Sequence, residues 1–197
     1  MKIKRLSLLL LAVCAVGMVS AQNAREKAIM AEVRAEYNNA QQLAEKCSQE
    51  TTKNSQVFTS IETTPNGRAE RTVEFIFDNS ELDEQFGLYP CQLVMIREKI
   101  GDGIYREFLF NKEGNLRFFF GKYMNDGRTT EQRFYYSLKG EDSEVYSIEK
   151  TTETATGKVL TEEKNMGELG ESGNALFMCR VASDLSRAFD QLNIFYD

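Results

Sequence analysis

The feature that most restricts this chain is a regular beat of turn signals through its middle. Gly101-Asp102-Gly103, Glu113-Gly114-Asn115, Asn125-Asp126-Gly127, Lys139-Gly140 and Thr156-Gly157 follow one another every 12 to 17 residues. Between them lie short runs rich in aromatic and β-branched residues: Cys91–Ile100, Ile104–Asn111, Leu116–Met124, Glu131–Leu138 and Glu144–Thr151. Upstream, Val57–Thr63 and Arg71–Asp78 flank Pro65-Asn66-Gly67, a hairpin signal because Asn and Gly tolerate positive φ. Strands this close in sequence turn straight back on one another, so the pattern predicts an antiparallel meander. A weak internal echo agrees. Glu74-Phe75-Ile76-Phe77, Glu107-Phe108-Leu109-Phe110 and Arg133-Phe134-Tyr135-Tyr136 share one pattern, which reads as repeated hairpins rather than a solenoid.

Helical periodicity brackets the meander. From Asn23 to Glu50, Ile29, Val33, Tyr37, Ala40, Leu43 and Cys47 recur every three or four residues, opposite a face of Glu, Lys, Arg and Gln. From Asn174 to Asn193, Phe177, Val181, Leu185, Ala188 and Leu192 do the same. The stretch from Asn79 to Pro90 is expected to be a loop carrying Glu81, Asp83 and Glu84. The polar, glycine-containing stretch from Lys158 to Gly173 is expected to be another, with at most a short edge strand at Val159–Thr161. The expected fold is therefore α+β. It has a long N-terminal helix, a meander of about six to eight strands, and a C-terminal helix packed on the sheet. The layout is comparable to cystatin-like and half-barrel carrier folds.

Residues 1–21 carry the marks of a secretory signal peptide. Lys2, Lys4 and Arg5 precede an apolar run from Leu8 to Val19, and Val19-Ser20-Ala21 forms a small-residue cleavage site. Cleavage after Ala21 leaves residues 22–197 as one α+β domain starting at Gln22, in the periplasm or outside the cell. A lipid anchor on Cys14 is disfavoured, because Val13 is larger than a lipoprotein box accepts there. The run is short for a membrane span, and the mature chain is expected to have no transmembrane segment. The whole chain has a formal charge of −6; without the three basic residues of the leader it is −9. That acidity, with no basic run to offset it, argues against nucleic acid as a partner. Cys47, Cys91 and Cys179 then permit one disulfide in any of three pairings, or three buried thiols.

The chain contains no histidine, which removes Ser-His-Asp, Cys-His and H-E-x-x-H chemistry. Ser147-Ile148-Glu149-Lys150 matches S-x-x-K, but in a strand its two ends face opposite ways. Gly101-Asp102-Gly103 lacks the third glycine and the helix of a dinucleotide loop. Gly167, Gly170 and Gly173 read as a connector before a helix. The acidic segment from Asp78 to Glu84 fails the EF-hand template, which would need glycine at Asp83 and glutamate at Tyr89. No metal or cofactor is expected.

The aromatic strands are the most informative feature for function. In Leu116–Tyr123 the period of two predicts Leu116, Phe118 and Phe120 facing the helices, with Arg117, Phe119 and Tyr123 opposite. Ile104–Asn111 splits in the same way, with Tyr105 and Leu109 set against Ile104, Phe108 and Phe110. Apolar residues on both faces mean that both are covered or that one binds something. Tyr105, Leu109, Phe119 and Tyr123 are the candidate binding residues. The expected function is an exported, non-catalytic binding or interaction protein whose partner is a small apolar ligand or an envelope protein. Two alternatives are a secreted hydrolase with a carboxylate pair and a secreted inhibitor acting through loops.

Overall fold

The computed structural model describes residues 24–46, 55–64, 67–80, 90–137 and 143–193. Helix α1 covers 24–46. Eight strands follow: β1 Ser55–Thr64, β2 Gly67–Asp78, β3 Gln92–Ile100, β4 Ile104–Phe110, β5 Leu116–Asn125, β6 Arg128–Ser137, β7 Glu144–Glu153 and β8 Val159–Glu168. A 3₁₀ turn at Leu169–Glu171 leads into α2, Gly173–Asn193. Each strand pairs antiparallel with its neighbours in sequence, in the order β1 to β8, so the meander is complete. Among the described residues no helix is long and apolar enough to cross a membrane.

Residues 158–168 are not the predicted loop with a short edge strand. Val159–Glu168 form a ten-residue strand paired with β7, with one bulge at Leu160. An edge strand in solvent needs only one hydrogen-bonded neighbour and no apolar face, and charged residues on it deter pairing with other chains. β8 meets that need with Glu162, Glu163 and Lys164, and this composition is the same as a loop's.

The helices lie on opposite faces of the sheet. On one face Ala175, Met178, Ala182, Leu185 and Phe189 of α2 pack on Phe75, Ile96, Phe108, Phe119, Phe134 and Tyr136. On the other, Ile29, Val33, Ala40 and Ala44 of α1 pack on Ile76, Met95, Leu109 and Phe118. Both helices cross the strands. Arg25 at the start of α1 meets Glu144 of β7 at 2.5 Å, while the far end of α1 shares a core with β2 and β3. On α2, the Ala175 carbonyl accepts a bond from the Tyr136 hydroxyl at 3.1 Å, and Phe189 lies against Phe75 and Phe77. Apolar residues appear on both faces of the central strands because both faces are covered.

Two β-bulges reset which residue faces which helix. Ile76 pairs with Met95 and Phe77 with Leu93, which leaves Val94 as an extra residue. Leu109 pairs with Phe118 and Phe110 with Leu116, which leaves Arg117 as another. The predicted set of Leu116, Phe118 and Phe120 is therefore split. Leu116 joins the α2-side core with Phe119, whereas Phe118 turns to α1. Arg117 also turns to α1, where it meets Glu32 at 3.2 Å and Glu36 at 3.4 Å.

The three echoed segments occupy β2, β4 and β6, strands of one direction, and they lie in phase. Glu74, Glu107 and Arg133 fall in one row across the sheet. Ile76, Leu109 and Tyr135 fall in the row beneath α1.

Candidate functional site

The expected binding residues do not share a face. Tyr105 and Leu109 are on the α1 side and Phe119 and Tyr123 on the α2 side. Leu109 is fully buried under α1, and Phe119 is fully buried against α2. Tyr105 is half-buried and donates to Glu107 at 2.5 Å. Tyr123 is half-buried with the Arg106 guanidinium over its ring, 5.6 Å from the centroid. Its ring and that of Phe119 close over Gly121, where a Cβ would come within 2.7 Å of the Phe119 ring and 2.8 Å of the Tyr123 ring. Glycine there lets two aromatic rings meet across the strand.

Two glutamates sit at the centre of the sheet. They are paired with arginines across β3 and β4, where Glu98 faces Arg106 and Arg97 faces Glu107. Glu98 points to the α2 side at 1% exposure, held by Arg71 at 2.6 Å and Arg106 at 3.0 Å. Glu107 points to the α1 side at 4% exposure. It accepts bonds from Tyr37 at 2.5 Å, Tyr105 at 2.5 Å and Gln41 at 3.3 Å, and Arg97 lies 3.6 Å away. Arg97 also meets Glu74 at 3.5 Å and donates to Gln41. Burial, and then the bond to Glu107, raise the pKa of both Tyr37 and Tyr105, because each hydroxyl keeps the proton it donates. Opposite faces separate Glu98 from Glu107, and Arg97 stands between Glu74 and Glu107. These acids therefore act as ion-pair partners. The Glu107 network ties α1 to the sheet through Tyr37 and Gln41.

Beside that network a cleft of about 280 Å³ opens between α1 and the sheet. Met30, Val33, Arg34 and Tyr37 of α1 form one wall; Phe118 and Phe120 of β5 with Arg133 and Tyr135 of β6 form the other. Strand register places these sheet residues together, since Phe118 pairs with Tyr135 and Phe120 with Arg133. Phe118 lies 4.9 Å from the Tyr135 ring and edge-on to Tyr37 at 5.4 Å. The Arg133 guanidinium sits over Phe120 at 5.4 Å and meets Glu131 at 2.7 Å. Burial raises the Tyr135 pKa, and Arg133 and Arg34 pull it back, so both guanidiniums act at this hydroxyl.

The sequence pattern makes Phe118 and Phe120 core, places Tyr37 in the α1 stripe and Arg133 and Tyr135 in the echoed segment of β6, and marks none of these or Arg34 as a site residue. The available signal was the pairing of an aromatic and an arginine two residues apart in β6, together with Arg34 bordering the α1 stripe. Ser147 and Lys150 point to opposite faces of β7, and Ser147 donates to the Asn165 carbonyl at 3.3 Å. Cys91 and Cys179 are half-buried against the α2-side core, where burial pushes the Cys179 thiol up. Cys47, the leader and the acidic stretch 81–89 lie outside the described residues. Among the described residues no three Cys, Asp or Glu side chains converge on one point. No family model, curated protein or solved structure matches the chain.

Proposed function

We propose that this chain is an exported, non-catalytic binding protein that holds a small molecule in the cleft between α1 and the sheet. The observation that carries the reading is an aromatic lining of Phe118, Phe120, Tyr135 and Tyr37 around one cleft, in which Phe120, Tyr135 and Tyr37 keep part of their surface open. Ligand sites combine an apolar, concave lining with a few fixed polar groups, and this cleft has that make-up at the small end of the usual size range. The volume suits one or two rings or a short chain, since a cavity of about 150 Å³ already holds benzene. Export rests on the basic start, the apolar run and the Val19-Ser20-Ala21 site.

The test is a neutral apolar fluorophore, N-phenyl-1-naphthylamine, titrated with the full mature chain. Its emission is expected to rise on binding. Met30→Trp, which fills the cleft from the half-buried helix wall, is expected to abolish the rise while the thermal melt stays cooperative. No rise with the unsubstituted chain, or the same rise in a folded Met30→Trp, overturns the reading.

A further inference from the structure

The lining of the α1 cleft carries two positive charges, Arg34 and Arg133, and no negative one. Three other clefts bounded by described residues carry both signs. One beside the far half of α1 sets Glu36 and Asp78 against Lys112. One along α2 sets Arg187 against Asp190, and one at the β5–β6 turn sets Arg128 against Asp126. The asymmetry runs against the whole chain, whose net charge is −6.

The sheet extends this positive region outward from the cleft. The row through Phe120 continues as Arg133, Ile148 and Lys164; the next reads Lys122, Glu131, Lys150 and Glu162. Glu131 is taken by Arg133 at 2.7 Å and Glu162 by Lys164 at 2.6 Å. Two other acids reach the region: Glu107, bonded to Tyr37 at the cleft wall and faced by Arg97 at 3.6 Å, and Glu26 of α1, at Tyr146 and Lys164. Arg34 makes no ion pair with any described residue and stands exposed at the mouth of the cleft. Two guanidiniums at one opening repel each other, an effect tempered by solvent at exposed Arg34 and by Glu131 beside Arg133. An anion between them reverses the sign of the interaction. A planar carboxylate matches the guanidinium fork in geometry as well as charge.

We propose that the cleft takes a small organic anion, with an apolar ring or short chain against Phe118, Phe120 and Tyr135 and a carboxylate head held by Arg34 and Arg133. The proposal rests on the reading of the cleft as a ligand site and names the class of its ligand. The volume limits the body to one or two rings or a short chain, so a long acyl chain does not fit.

Isothermal titration calorimetry with 2-naphthoate and its neutral isostere 2-naphthamide tests it on the full mature chain. Naphthoate is expected to bind about tenfold tighter or better at low salt, the scale of one charge-assisted hydrogen bond. Added salt should weaken naphthoate and leave naphthamide unchanged. Arg34→Gln, at an exposed helix position, should close the gap without changing naphthamide binding, and Met30→Trp should remove both ligands. Equal affinity for the two in the unsubstituted chain overturns the anion proposal and leaves the cleft reading standing. A gap that survives both Arg34→Gln and Arg133→Gln overturns the proposal in the same way. Binding of neither ligand removes the cleft reading and the proposal with it.

Discussion

Phe118 and Phe119 are neighbours in sequence and belong to two different cores. Phe118 packs against Tyr37 of α1 and Tyr135 of β6. Phe119 packs against Phe108 and Phe134 beneath α2. Phe119 has no exposed surface, and Phe118 retains only 7%. Removing either ring leaves a cavity among aromatic neighbours that have little room to collapse. Phe118→Ala and Phe119→Ala are therefore each expected to cost about 3–5 kcal/mol, measured by denaturant melts. A Phe119→Ala loss below about 1 kcal/mol would contradict its packing under α2. The Phe118 change should in addition abolish binding in the cleft, because that ring forms part of the cleft wall. The cost to binding thus separates the two positions where the cost to stability does not.

The hairpins carry their own local specification. At the β5–β6 turn both central residues take positive φ, Asp126 at 48° and Gly127 at 72°. This is the twist-matched two-residue hairpin in which Asp-Gly is favoured. Nothing lies within 4 Å of a Cβ built at Gly127, so a side chain there meets strain alone. Gly127→Val is expected to cost about 1–2 kcal/mol, read as a shift in the denaturant midpoint. No shift would mean that the turn relaxes to another geometry. Signals of this local kind are why the number and order of β1 to β7 were legible in the sequence. β8 was not, because an exposed edge strand and a polar loop share a composition. Helix placement was not legible either. Periodicity locates the α1 stripe but not the face of the sheet that it covers, and on α2 it selects Phe177 and Leu192, which are exposed, over Ala175, Met178, Ala182 and Phe189, which are buried. Val94 and Arg117 as bulge residues break the alternation from which faces are read. The cleft depended on that placement. Arg34 and Arg133 are 99 residues apart in the chain, and only the crossing of α1 over β6 brings them to one opening. Tyr135 sits two residues from Arg133 on the same side of β6, so that half of the site was available from the strand period.

Across the molecule, all six tyrosines among the described residues, Tyr37, Tyr105, Tyr123, Tyr135, Tyr136 and Tyr146, have raised pKa values, with burial as the first cause in each. In the unfolded chain these groups lose protons near pH 10. Below that both states hold the proton, and the contribution to stability is constant. Above it the unfolded state releases protons that the folded state retains, so stability falls as pH rises. Cys179, raised by burial, acts with the same sign from about pH 9. Denaturant midpoints are expected to decline steadily above about pH 10, with tyrosinate absorbance appearing mainly as the chain unfolds. A midpoint that stays level to pH 11 would contradict this. The way α1 is placed has a consequence for the order of synthesis. Each strand from β1 to β7 finds a partner in the next one made, but the α1 stripe of Ile29, Val33, Ala40 and Ala44 is covered by Ile76, Met95, Leu109 and Phe118. Its surface is made before any of the strands, its buried cover is complete only when β5 exists, and the side-chain contacts that fasten it run from 56 residues apart, Gln41 to Arg97, to 119 apart, Arg25 to Glu144. During that interval part of the helix's apolar stripe lacks its cover, so an element made before all eight strands is among the last to be secured.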